Sequence, residues 1–501
     1  MVNNKKTIAI LFLLLCGTFA AQGQNVKRRI YPAPKLTPEV ERIRTTMRPF
    51  KANRNVVVLP KYVDNSTSKY FPPIINQDGG SCAQASSIGY LFTYEINRLL
   101  DRDASESAMN RFSYKFSWNM VNGGEDQGGF AEEGLFLSKK YGMMTEADYG
   151  KSGTYQFKWA TGYSKYYNAM KYRTEEILTF PDSIELLKRY LYDAGDGSHP
   201  GGLLAFSTQS GNWSIDNYYD GPSGTGYHSL LKGLAPTGSH AMTIVGYDDL
   251  VTYTDNNGVV HNGAFIVANT WGTYSHDRGR FYLPYDFFRD ASVPEIQLSN
   301  KMQGAKVCTY EPKVVFKIRL KYTSRNDLSF GTAFTGDGKS DHATLYSYAS
   351  AFHNQGGDYP MQGQYLSDEI ELAIDATPCI MPAEPQNEVF YLAVRKSAIG
   401  ARMGKGQVES VSLIDYRSGK PMEYPCRSTV FPADIKPGLT EFSVAPGACI
   451  LASASAYKYI EDNNATDKVF LIRTADGKNA KMRFSNLDTE KGTIDIRYNT
   501  K

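Results

Sequence analysis

The sequence predicts an α+β first half, running to about residue 300, and an all-β second half. Helical and strand periodicities mix between residues 62 and 300, whereas beyond about residue 305 short alternating runs replace every helical pattern. The composition is that of a folded chain: 501 residues, 42% hydrophobic and 21% charged, with 35 Tyr and 25 Phe. At roughly 100 to 200 residues per domain, this length suggests two to four domains.

Taken in order, residues 83–100 place Ile88, Leu91, Phe92, Ile96 and Leu99 on one helical face. Residues 38–47, 130–140 and 182–192 read as shorter helices, and 202–207, 241–247 and 263–268 as strands. Asp255-Asn256-Asn257-Gly258 has the composition of a hairpin turn between the last two strands. In the second half, 313–320, 369–374, 389–394 and 407–414 alternate as strands of an all-β domain, a sandwich or a jelly-roll-like one. Residues 468–498 form a meander turning at Asp476-Gly477.

Lys5 and Lys6 precede an apolar run from 7 to 16 that is too short to span a bilayer, and small residues follow. This pattern predicts an export signal over residues 1–23, with a periplasmic, cell-surface or secreted destination. Cys16 carries the competing reading of a lipid anchor, against which stands Leu15 where such signals want a small residue. No other stretch is apolar enough to cross a membrane. The formal charge of +3 gives no reason to expect nucleic acid as a partner. Cys308, Cys379, Cys426 and Cys449 cluster late in the chain, and in an exported protein they are expected to form two disulfides in one of three connectivities. Cys82 stands apart from them.

Three segments carry chemistry. Asn76-Gln77-Asp78-Gly79-Gly80-Ser81-Cys82 runs into the start of the long helix, where the helix dipole and free first-turn N–H groups favour a thiolate. Gly238-Ser239-His240-Ala241 opens a strand, and Asn269-Thr270-Trp271-Gly272 follows another. Each residue alone has a plainer role: Cys82 as a small buried hydrophobe, His240 at a strand end, Asn269 as a cap, Trp271 as core, and Gly128 and Gly129 as turn glycines. His199, His228, His261, His276, His342 and His353 show no ligand-like clustering, and the aspartates near 193–196 are too few for calcium. No metal or cofactor is called for.

Together the three segments resemble those of the papain-like cysteine peptidases: a Gln before Gly-Ser-Cys, a His-Ala opening a strand that ends Val-Gly-Tyr, and an Asn-Ser-Trp-Gly. Leu59 to Asp64, Gly128-Gly129-Phe130, Asp220 to Gly224 and Gly279 to Leu283 extend the resemblance over about residues 58–290. It implies a two-lobed catalytic domain acting on peptides or proteins. Cys82 would be the nucleophile, His240 the acid and base, and Asn269 the residue orienting the imidazole, with Trp271 shielding that bond. Gln77 would complete the oxyanion hole, and Gly128, Gly129, Phe130 and Ser239 would hold substrate. Gln77 lies five residues before Cys82, where the family has six, so Asn76 competes for its role. Ala83 replaces the usual Trp, the family's disulfide cysteines are missing, and residues 225–237 insert a loop before His240.

The expected division is therefore 1–23 signal, 24–57 extension or short propeptide with Lys27-Arg28-Arg29 as a processing site, 58–300 catalytic domain, 305–460 β-sandwich and 461–501 meander. The leading function is an exported cysteine endopeptidase. A papain-fold binding protein without turnover and an acyl-transfer enzyme with the same triad are its competitors. The C-terminal part is left as a module for a surface partner, a glycan or nothing but its own catalytic domain.

Overall fold

The computed structural model describes residues 31–53, 57–150, 157–181, 183–208, 210–217, 229–235, 239–254, 258–289, 302–337, 342–343, 346–397, 404–446, 469–473, 479–488 and 493–500. The export signal, the lipidation candidate Cys16, the Lys27-Arg28-Arg29 site, the 255–257 part of the hairpin turn and Cys449 lie outside the described residues.

The expected long helix is present as one continuous run. It is α-helical over Cys82–Gln84, widens to π geometry over Ala85–Phe92 and returns to α over Thr93–Leu100, where Asp101 ends it in a left-handed conformation. Shorter helices follow at Tyr114–Val121, Ala131–Lys140, Tyr163–Ala169 and Ile184–Asp193. The first of these is capped by Ser113 and the last by Ser183, each accepting a first-turn N–H.

Among the described residues one ten-stranded sheet supports these helices. From one edge its main path runs Arg48–Pro49, Tyr172–Thr179, Gln303–Thr309, Leu204–Thr208, His240–Thr254, Val260–Ala268, Arg280–Pro284, Ser229–Ala235 and Gly211–Asn217, with Tyr62–Asp64 added alongside His240–Thr254. The central strand is covered on both faces. Met242 and Ile244 point into one apolar cluster with Phe206, Phe265 and Phe281, while Val245 points into another with Ile88, Leu91 and Ile266. Double coverage explains why this strand reads as a continuous apolar run. Gln303–Thr309 belongs to this sheet, pairing antiparallel with Tyr172–Thr179, so the first half extends past the boundary placed near residue 300.

The later strands form two antiparallel sheets and a separate three-stranded one. Glu369–Asp375, Val314–Tyr322, Gly406–Asp415 and Met422–Pro425 are consecutive in the first; Ser347–His353, Leu328–Thr335, Val389–Lys396 and Gly438–Val444 in the second. Val469–Arg473, Asn479–Asp488 and Thr493–Thr500 pair in order in the third. The disulfide expectation is corrected here, because Cys308, Cys379 and Cys426 are all free. Cys308 lies in the large sheet, Cys379 donates to the Thr332 carbonyl at 3.4 Å and Cys426 lies 3.2 Å from the Ser428 hydroxyl, so each thiol has a local setting of its own.

The two halves share one core. Tyr141, Trp159 and Tyr166 of the first half pack with Phe330 and Phe352 of the second, and Tyr141 donates to the Ala373 carbonyl at 2.8 Å. Arg325, only 1% exposed, donates to the Gly356 carbonyl at 2.6 Å and the Phe157 carbonyl at 2.7 Å, and lies over the Trp159 ring. Burial pushes this guanidinium down to about 9. Arg325→Ala leaves two buried carbonyls without their donor, and urea unfolding is expected to show a loss of about 3 kcal/mol; a loss below about 0.5 kcal/mol would contradict the role assigned to this side chain.

Candidate active site

Cys82 opens the long helix from a tight loop. Gly80 lies so close to the Gln127 backbone that a Cβ would come within 2.6 Å of its carbonyl carbon, so only glycine fits that approach. The Ser81 carbonyl accepts from the Gln84 and Ala85 amides at 3.1 and 2.9 Å, which starts the helix at the cysteine. The helix is bolted to the central strand: Ser86 donates to the Met242 carbonyl at 2.6 Å, and Thr243 donates to the Ser86 carbonyl at 3.1 Å. These bonds fix Cys82 relative to His240, the first residue of that strand.

Ala241, the neighbour of His240, and the Gln77 side chain lie close enough to the Cys82 sulfur to favour its ionised form. Gln77 is positioned by its own amide donating to the Thr270 carbonyl at 2.8 Å and its Nε2 donating to the Gly79 carbonyl at 2.9 Å, while Thr270 Oγ1 donates to its Oε1. Gln77 thus acts on the thiol despite the shortened loop, and the backbone of its competitor Asn76 bridges to that of Trp271. Burial pushes the Cys82 thiol up, although the Ala241 amide and Gln77 act in the opposite direction. In this conformation burial therefore overrides the effect expected from the helix start. The thiol is 8% exposed.

Asn269 follows strand Val260–Ala268 directly, and its carbonyl accepts from the Tyr90 hydroxyl at 2.7 Å. Its Oδ1 lies 2.7 Å from His240 Nε2. Trp271 stacks on the His240 ring, with centroids 4.3 Å apart and planes at 22°. His240 is 3% exposed and Asn269 fully buried, so this hydrogen bond is dry.

A cleft of about 240 Å³ opens beside Cys82. Its walls include all four of the predicted substrate-binding residues, Gly128, Gly129, Phe130 and Ser239. Sequence reasoning missed three other features. Tyr31, Pro32, Ala33 and Pro34 line the cleft, and the Ser239 amide donates to the Tyr31 carbonyl at 3.0 Å. Glu132, buried in the wall, accepts from Arg44 Nε at 2.7 Å, and that guanidinium lies over the Phe130 ring. His276, set aside as a surface or core residue, has its Nε2 3.0 Å from Asn269 Nδ2. The proline-rich run 31–34 has no periodicity, and Glu132 has the pattern of a helix-start acid, so neither advertised a place in the cleft.

No protein-family model matches the chain, and no curated protein matches it. The solved structures similar to it are papain-like cysteine proteases, and the likeness covers about half of the chain. Xylellain, a cysteine protease from Xylella fastidiosa, is 19% identical, with 56% of this chain and 98% of that one covered at a TM-score of 0.39. ProCathepsin B S9 from Trypanosoma congolense is 15% identical over 56% and 87% at 0.37, and the bromelain protease from Ananas comosus 17% identical over 49% and 99% at 0.32. At these values the chemistry is read from the side chains alone.

Glu133 supplies a test of the support behind the cleft wall, where Phe130 lies. Its carboxylate accepts the Phe130 amide at 2.7 Å, and burial pushes its pKa up to about 7. The folded state then holds a proton that the unfolded state releases at about 4.5, so stability is expected to fall as pH rises from about 4.5 to about 7. In Glu133→Gln this part of the pH dependence, on the order of 3 kcal/mol, is expected to vanish; denaturant titrations at pH 5 and pH 7.5 measure it, and an unchanged slope would refute the assignment.

Proposed function

We propose that the chain is an exported cysteine endopeptidase that hydrolyses peptide bonds through Cys82, His240 and Asn269. The observation that carries this reading is the buried His240 Nε2 to Asn269 Oδ1 bond under Trp271, on a strand whose second residue, Ala241, lines one cleft with Cys82. These groups suit nucleophilic acyl transfer.

In this mechanism His240 Nδ1 takes the Cys82 proton, and the sulfur attacks the substrate carbonyl carbon. The oxyanion is met by the Cys82 backbone N–H and the Gln77 Nε2, each such donor being worth roughly 3 kcal/mol. His240 then protonates the leaving amine, and water hydrolyses the thioester. Gly128 and Gly129 offer backbone to an extended peptide, while Phe130 and Ser239 border its side chains. The paired sheets spanning 314–444 read as a β-sandwich whose role begins with completing the shared core.

The N-terminal segment bears on the resting state. Tyr31 lies across the cleft, its carbonyl on the Ser239 amide and its hydroxyl 3.0 Å from both Asp126 oxygens, while Asp126 accepts the Gly80 amide at 2.9 Å. We read residues 31–34 as a cover that keeps the thiol buried. The cover ends before Pro38, because Val40, Ile43 and Phe50 are core residues.

Two measurements follow. Cys82→Ala is expected to reduce cleavage of casein or a fluorogenic peptide by at least about 10³-fold; full activity would refute the peptidase reading, and activity absent from both wild type and variant would favour a silent binder. A chain beginning at residue 38 is expected to cleave severalfold faster than the longer one, and equal rates would remove the cover.

A further inference from the structure

The orienting carboxamide of this site lies between two imidazoles. Asn269 Oδ1 is 2.7 Å from His240 Nε2, and Asn269 Nδ2 is 3.0 Å from His276 Nε2. The Thr270 backbone amide donates to the same Oδ1 at 2.7 Å. A backbone N–H can only donate, so the atom it meets must be the oxygen, and the opposite atom must be the NH₂ group. An NH₂ group donates, so His276 Nε2 must be an unprotonated acceptor and the His276 proton sits on Nδ1. By the same reasoning His240 carries a proton on Nε2 and gives it to Asn269.

We propose that His276 is a positioning residue: by accepting from Asn269 Nδ2 it holds the carboxamide with its oxygen toward His240, and so aims His240 Nδ1 at Cys82. This role rests on the peptidase reading for its kinetic consequence, though its geometry stands by itself. Were the amide reversed, its NH₂ would face the Thr270 N–H, a donor with no tautomer to change. Thr270 therefore selects the orientation, and His276, accepting at the opposite end, anchors the amide in it.

His276 is held for this purpose at some conformational cost. It adopts φ 56°, the left-handed region that side-chain-bearing residues enter infrequently. The turn that imposes this closes through the Gly279 amide on the Ser275 carbonyl at 2.7 Å and the Asp277 to Arg280 bridge. The ring packs edge-on to Phe281 at 5.0 Å and lies 6.3 Å from Trp271, the indole that stacks on His240. Trp271 and His276 thus confine the His240–Asn269 pair from two sides.

Two substitutions separate positioning from packing. His276→Phe keeps an aromatic ring but removes the acceptor; His276→Gln removes the ring but restores an acceptor oxygen. Peptide cleavage by His276→Phe is expected to lose about 10- to 100-fold in kcat with KM nearly unchanged, and His276→Gln to recover to within severalfold of wild type. Alkylation of Cys82 by iodoacetamide is expected to follow the same order. If Phe matches wild type, or Gln is as poor as Phe, the positioning role is overturned while Cys82-dependent cleavage keeps the peptidase reading intact. If wild type cleaves nothing but alkylation still separates Phe from Gln, the peptidase reading fails and the positioning role stands. Long-range ¹⁵N–¹H correlation of ¹⁵N-histidine wild type needs no variant: a proton on His276 Nδ1 is expected, and one on Nε2 would overturn the proposal even if both variants misfold.

Discussion

A strand covered on both faces holds this site together. His240 begins it, and because Met242, Ile244 and Val245 are buried in opposite clusters, the strand cannot slip without carrying apolar side chains into the wrong layer. Ser86 and Thr243 then tie it to the helix of Cys82, and the pairing of Thr243 with Ala268 sets the position of Asn269. Tyr90 completes the frame from the helix side: its hydroxyl accepts the Ile75 amide at 2.7 Å and donates to the Asn269 carbonyl. Three side chains far apart in sequence are thereby placed by backbone bonds in a shared core.

The same burial creates a tension at the sulfur. A nucleophile benefits from a thiolate, yet Cys82, 8% exposed in a cleft that residues 31–34 help to line, has its thiol pushed toward the neutral form. The conflict resolves if the described conformation is a covered, resting one in which the hydrogen-bonding groups are assembled but water and substrate are kept out. The segment that lines the cleft is continuous with a helix whose Val40 and Ile43 belong to the core.

Much of this was legible because it depended on local pattern. Helix 83–100 announced itself through apolar residues at helical spacing, and the strands at 240 and 260 through long apolar runs. The helices Tyr114–Val121 and Tyr163–Ala169 and the strand Tyr172–Thr179 were not legible, since polar and aromatic residues alternate there without a clear period and tertiary packing decides their state. Gln303–Thr309 was assigned to the wrong side of a boundary because nothing in its composition reveals that its partners lie some 130 residues earlier. Cys82, His240, Asn269 and Gln77 were nominated through their neighbouring residues. His276 was not, because its significance comes only from the amide it faces.

The central claim is that Cys82 is the thiol activated by His240. Peptide mapping after brief reaction with a peptidyl epoxide tests it most directly. The account predicts one adduct, on Cys82, that forms much more slowly in His240→Ala; modification of Cys308, Cys379 or Cys426 with Cys82 spared, or an unchanged rate in His240→Ala, would contradict it.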